Sequence, residues 1–285
     1  MIIYIKQFKT MKLIYRIFSL FKIEKEENRT IIYLPINKHT RKRRLERVTN
    51  KLSKYLYNNA IKNVVLQNEL MQNEVVKNVL YSNNINILDG SKLSKFLMYN
   101  IIKKIYAYKN KNIQAGEITV LVNENNSINV ENLNLLARNV KRLNIITNNT
   151  HKFSKLVEYL YNEIGIIIKL SSNKNTNLSH SDIIVNIDFP EEEINKLRIP
   201  INSIILNMPK NIKINSKKFS GINIQNWEIK IPEKFGEEDF NDVILYEASI
   251  YNKTIPSVFE QIKLDNIKVG NLIGINGVIN RNEFV

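Results

Sequence analysis

The densest chemistry in the sequence is cationic. Lys38, His39, Arg41, Lys42, Arg43, Arg44 and Arg47 fall between positions 38 and 47. They follow an apolar run, Thr30-Ile-Ile-Tyr-Leu-Pro35, and stand at the head of a helical pattern. Cations at a helix N-terminus oppose the macrodipole by about 0.3–1 kcal/mol each at exposed sites, so a bound anion there would relieve them. A phosphate, an acidic partner or a nucleic-acid backbone would each serve, with His39, Arg41, Arg43 and Arg44 as candidate anion ligands. The competing reading is a solvated charged face, because no glycine-rich loop accompanies the charges.

A second polar constellation is Val122-Asn123-Glu124-Asn125-Asn126-Ser127-Ile128-Asn129-Val130. It links a strand pattern to a helix, the kind of turn at which open α/β sheets hold ligands. Asn tolerates left-handed backbone, and Ser127 or Asn129 can cap a helix. Glycines, which let a backbone approach a pyrophosphate, are missing, and Glu124 adds a carboxylate. The carboxylates Asp188, Glu191 and Glu247 have no recognisable partner, so no acid–base pair is assigned. The sequence holds no P-loop, no G-x-S-x-G and no H-E-x-x-H. It holds no cysteine, which removes disulfides and thiolate metal sites and makes a reducing cytoplasm the expected setting. His39, His151 and His180 are too widely spaced to form a metal-ligand pattern.

The 285 residues, with 44% hydrophobic content, suffice for one large or two ordinary domains. The formal net charge of +15 is unevenly placed: residues 1–115 hold 23 Lys/Arg against 7 Asp/Glu, and the remainder 19 against 20. An anionic partner is therefore expected for the first part alone. Tyr55, Tyr57, Tyr99, Tyr106 and Tyr108 lie among basic residues, but Tyr55 and Tyr106 fall close to apolar stripes, and no nucleic-acid-binding signature accompanies them.

The elements expected to position these residues alternate strand and helix. Residues 1–28 read as a basic amphipathic leader, too short in its apolar runs to span a bilayer. Met11 could serve as an internal start, and Glu24-Lys-Glu-Glu-Asn28 reads as a linker. Residues 29–114 read as a basic α/β domain, with Thr40 as N-cap of a helix from Arg41 to Asn59, a strand Asn63–Leu66, a helix Asn73–Tyr81, a strand Ile85–Leu88 and one helix from Lys92 to Tyr108. Residues 115–232 hold strands at Glu117–Asn123, Leu143–Thr147, Ile166–Leu170, Ser181–Asp188 and Ser203–Asn207, with helices Val130–Arg142 and Lys152–Glu163 between them. Short strands are added at Ile212–Ile214 and Gly221–Ile224. Continuous Ile/Val/Leu runs alternating with helices call for a parallel sheet covered on both faces. Residues 233–285 are expected to pack back on the domains, with a hairpin at Asn276-Gly277. The fold class is α/β, two α/β units, the second doubly wound and mostly parallel.

Residues 115–210 resemble the NAD(P)-binding domain of the shikimate dehydrogenase and glutamyl-tRNA reductase group. The resemblance is carried by Asn144-Ile-Ile-Thr-Asn-Asn-Thr-His-Lys-Phe-Ser-Lys-Leu156 and by Asp182-Ile-Ile-Val-Asn186. It implies a Rossmann-like domain and NAD(P), with Asn123, Asn125, Ser127, Asn148 and Asn186 as cofactor-binding residues. The family's catalytic Lys and Asp are not carried over, since Asp89-Gly-Ser-Lys92 does not match its motif. Two functions are therefore expected as alternatives. One is a degenerate Rossmann-like protein that takes a nucleotide or anionic small molecule in an interdomain cleft. The other is a noncatalytic protein whose basic N-terminal domain contacts nucleic acid or, peripherally, an anionic membrane.

Overall fold

The computed structural model describes residues 2–8, 13–26, 29–172, 178, 180–209, 212–215, 219–232, 235 and 237–284. The chain forms two compact units, Met1–Leu93 with Ile231–Thr254, and Ser94–Lys230 with Ile255–Val285. The 114/115 boundary read from composition falls inside the second unit, and residues 233–285 are shared between the two.

Unit one begins with β1 (Ile2–Gln7), α1 (Leu13–Phe18), β2 (Lys22–Glu26), β3 (Arg29–Leu34) and α2 (Lys42–Asn58). It continues through β4 (Asn63–Leu66), α3 (Asn68–Met71), α4 (Glu74–Ser82), β5 (Asn86–Leu88) and the start of α5 (Ser91–Phe96). The sheet order is β2-β3-β1-β4-β5, parallel except for β2. Residues expected in a leader thus include the central strand, with Ile3 and Ile5 buried. What disguised it is Lys6, whose ammonium is neutralised by Glu237 at 3.2 Å and Asp239 at 3.1 Å, far away in sequence. The expected linker is likewise part of β2, a charged edge strand of the kind that discourages further pairing. Residues 9–12, with the Met11 start, and 27–28 lie outside the described residues.

Helix α2 follows from its periodicity: Leu45, Val48, Leu52 and Leu56 form one buried face. Full burial of such side chains contributes about 1.5–3 kcal/mol each. Its N-cap is Arg41, with no side-chain bond. Thr40 is occupied instead in the preceding turn, where its Oγ1 accepts from the Asn37 N–H at 2.8 Å. The Asn-rich end of the next crossover does supply a cap: Asn73 accepts from the Val76 N–H.

Unit two opens with the end of α5 and with α6 (Met98–Tyr108), which are separate helices where one was expected. At Leu97 the N–H donates to Ser94 O, three residues back, and this tighter turn breaks the helical ladder. The sheet strands are β6 (Glu117–Leu121), β7 (Arg142–Ile146), β8 (Ile168–Ser171), β9 (Ile183–Asn186), β10 (Ile204–Asn207) and β11 (Ile222–Ile224), with α7 (Ser127–Asn139), α8 (His151–Ile164) and α9 (Glu191–Ile194) in the connections. Gly165 ends α8 with φ of 76°, a left-handed position where glycine carries no Cβ penalty. The order is β11-β10-β9-β6-β7-β8, all parallel. From β6 the chain winds outward through β7 and β8, then returns and winds the other way through β9, β10 and β11. That is the strand order of a Rossmann-like doubly wound fold.

Ile212–Ile214 forms no strand, and β12 (Asn226–Lys230) arises where an irregular stretch was read. The chain re-enters unit one through α10 (Asp242–Ile250), capped by Asn241. It finishes in unit two with α11 (Ile255–Leu264), β13 (Lys268–Gly274) and β14 (Gly277–Val278). The antiparallel sheet β12-β13-β14 contains the expected Asn276-Gly277 hairpin, with Gly277 at φ of 110°.

Candidate functional site

In a doubly wound sheet the ligand crevice lies outside the carboxyl ends of the two neighbouring strands from which the chain departs in opposite directions. In unit two these are β6 and β9, paired in register from Ile118–Ile183 to Leu121–Asn186. The backbone leaving β6 is Val122 to Asn126, and that leaving β9 is Ile187 to Pro190.

The two strand exits are joined by one carboxylate. Asp188 accepts the backbone N–H of Asn123 and that of Glu124, each at 2.7 Å. Burial pushes its pKa above the ordinary aspartate value; the two N–H bonds pull the other way without prevailing, and the neighbouring Glu124 carboxylate adds to the rise. The amino end of α7 is satisfied internally too. Asn126 Oδ1 accepts from the Asn129 N–H at 2.9 Å, and the buried Asn129 side chain donates to Glu124 O at 2.8 Å. The helix consequently starts at Ser127, earlier than the apolar pattern from Val130 suggested.

Four of the expected cofactor residues meet at this edge. Asn123 Oδ1 accepts the Asn148 N–H at 2.8 Å, tying the exits of β6 and β7 together. Asn125 donates its side-chain N–H to Lys152 O, and the Asn148 amide donates to the Glu193 carboxylate at 2.9 Å. Ser127 is exposed on the first turn of α7. Asn186 is fully buried beneath them: it accepts the Phe189 N–H at 2.8 Å and donates to Asn207 Oδ1 at 2.9 Å. It shapes the turn that presents Asp188.

Of the anion candidates of unit one, Arg43 and Arg44 stand on the first turn of α2, Arg41 is its N-cap and His39 lies in the turn before it. Arg41 and Arg43 are exposed, the His39 backbone N–H donates to Asn37 Oδ1 at 3.1 Å, and the Arg44 guanidinium donates to Pro35 O at 3.4 Å. That helix start has neither a side-chain cap nor an acidic residue in its first turn.

The other carboxylates that lacked a recognisable partner also hold backbone donors. Glu191 accepts from the Lys213 N–H at 2.9 Å. Glu247 on α10, 2% exposed, accepts from the Leu93 N–H at 2.7 Å and the Gly90 N–H at 3.3 Å, and burial raises its pKa. Gly90 has φ of 83°, and Asp89 accepts the Ser91 N–H, as expected of a turn there. Among the described residues no group of three or more His, Asp or Glu is placed to hold a metal ion, and no helix is long and apolar enough to cross a membrane.

No protein-family model matches the chain, and no curated protein does. Similar solved structures include apo D-lactate dehydrogenase from Escherichia coli, 12% identical with a TM-score of 0.35, covering 76% of this chain and 77% of that one. D-mandelate dehydrogenase from Rhodotorula graminis is 9% identical with a TM-score of 0.39, covering 76% of each chain. The catalytic subunit of M. jannaschii aspartate transcarbamoylase is 13% identical with a TM-score of 0.31, covering 75% of this chain and 76% of that one. Likenesses at this level carry no argument about ligand or reaction. The Rossmann-like assignment of unit two rests on its own strand order and parallel register.

Proposed function

We propose that this chain is a degenerate Rossmann-like protein, akin to the NAD(P)-binding domains of the shikimate dehydrogenase and glutamyl-tRNA reductase group, that acts by binding and not by dinucleotide redox chemistry. A nucleotide or other anion enters the β6–β9 crevice only when Asp188 leaves the turn. The observation that carries this reading is the Asp188 carboxylate, 2.7 Å from both the Asn123 and the Glu124 N–H. These are backbone donors at the start of the turn that a pyrophosphate would approach, and an internal anion already takes them. A dinucleotide would bring further negative charge beside Asp188 and Glu124, a like-charge arrangement that opposes binding. The turn from Asn123 to Asn129 carries Cβ atoms throughout, where the fold group has a glycine-rich turn.

Thermal unfolding with NAD and NADP tests the reading. A ligand present at about 100 times its Kd adds about 2.7 kcal/mol of stability, an easily measured rise in Tm. The wild-type chain should show no rise, and the D188A/N123G/N125G variant should show one. A wild-type Tm raised by NADP as much as the variant's would overturn the proposal.

A further inference from the structure

Unit two has a cavity of about 640 Å³ at the opposite end of the sheet from the β6–β9 crevice. Its floor is a polar row across three strands. Thr119 on β6 is in register with Asn144 on β7, and Asn144 with Lys169 on β8, so the three side chains share one face. Thr119 is fully buried; its Oγ1 lies 2.6 Å from Ser181 Oγ and accepts from the Asn144 amide at 3.3 Å. Further along the same face Leu121 and Ile146 join an apolar cluster with Ile184 and Phe189. The face therefore turns from apolar to polar halfway along the strands.

The topology decides which connections pass over this face. Right-handed crossovers through α7 and α8 put both helices on the other face, and the reversed crossover from β8 to β9 is the one that would cover this face. A parallel crossover usually needs a dozen or more residues and a helix. Here it is residues 172–182, a shorter connection.

The rim is cationic. Lys141, Arg142, Lys169 and His180 line the cavity, with Glu117 as the carboxylate among them. Arg142 is bonded to Glu117 at 3.2 Å, and among the described residues neither Lys141 nor Lys169 has a carboxylate within ion-pair distance. Two ammonium groups and a guanidinium lining one cavity with the Asn144 amide match a phosphate joined to a hydroxyl-bearing body. The volume is in the range of small-molecule sites, about 300–1,000 Å³.

We propose that this cavity binds a phosphorylated small molecule, its phosphate between Lys141, Arg142 and Lys169 and its hydroxyl groups on the Asn144 side chain, which Thr119 holds from beneath. The site is independent of the crevice at Asp188. Calorimetric titration of the full chain with ribose 5-phosphate at low salt tests it. Wild type should bind saturably, K141A/K169A should lose at least about ten-fold in affinity through two missing charge-assisted contacts, and K54A/K62A, which removes two exposed cations of unit one, should bind as wild type does. Ribose 5-phosphate should bind more tightly than inorganic phosphate to wild type, and Asn144→Leu should erase that difference. Amide NMR shifts should move at Thr119 and Asn144. The proposal is overturned by absence of saturable binding up to about 10 mM, a free energy too weak for a built site. It is equally overturned by loss of binding in the unit-one variant, or by shifts confined to Asn123–Asn129.

Discussion

Two turns of this molecule are held by carboxylates that lie far from them in sequence. In unit one Glu247 holds the turn from β5 into α5 through the N–H groups of Gly90 and Leu93; in unit two Asp188 holds the turn from β6 into α7 through those of Asn123 and Glu124. In each, burial raises the pKa against the pull of the N–H bonds. The difference is depth. Glu247 is 2% exposed and Asp188 is half-buried. The same contact is therefore a fixed part of the core in one unit and a displaceable occupant of a ligand crevice in the other. A half-buried carboxylate can exchange its N–H partners for water when it leaves, whereas a buried one strands both itself and its donors.

The largest expected effect separates the two. Glu247→Ala should cost about 3 kcal/mol or more in urea unfolding, because it leaves buried N–H groups without an acceptor and a cavity beside them. Asp188→Ala should cost about 1–2 kcal/mol, since water can reach the exposed Glu124 N–H. Equal losses would break the comparison and make Asp188 as structural as Glu247.

A neutral counterpart sharpens it. The crevice of unit one lies between β1 and β4, on either side of which the strand order diverges, and Gln67 spans it: Oε1 accepts the Gln7 N–H at 2.8 Å, with the side chain 3% exposed. Gln67→Ala should cost about 1–2 kcal/mol, the net value of its hydrogen bond to the Gln7 N–H and of a longer one, 3.5 Å, that its amide donates to Asp239. That loss should be the same at pH 5 and pH 7.

The fold was legible where burial leaves a mark on residue type. Asp182-Ile-Ile-Val-Asn186 and Glu117-Ile-Thr-Val-Leu121 announce buried strands because covered parallel strands admit few polar residues. Central strand β1 was hidden by Lys6, whose countercharges Glu237 and Asp239 come from the far end of the chain. The site was legible only as a location. The missing glycines at Asn123–Asn129 could be read, but the group that replaces a phosphate could not, since a backbone N–H has the same signature at every residue but proline. Asp188 and Glu247 were visible as carboxylates without partners, and their partners were backbone donors 64 or 65 and 154 or 157 residues away. Asn126 was nearer to legible, because an Asn three residues before a buried helical position is a recognised cap pattern.

The smallest effect is the most specific to the crevice. Because the folded-state pKa of Asp188 lies above the ordinary value of 3.8, the unfolded chain releases that proton first as pH rises. Between the two values the folded state binds more protons, so this residue's contribution to stability falls with rising pH and then levels off above the folded pKa. Asp188→Asn removes the titration and retains one acceptor. Its stability relative to wild type should therefore improve as pH rises from below 3.8 through the acidic range, with Glu247 cancelling because both proteins carry it. Chemical unfolding at successive pH values measures the difference directly. A variant that instead loses ground as pH rises would show that the two N–H bonds outweigh burial and that the carboxylate is anchored in the turn as an anion. Asp188 would then be held more tightly at neutral pH than at acid pH, and protonation would become the step that opens the crevice.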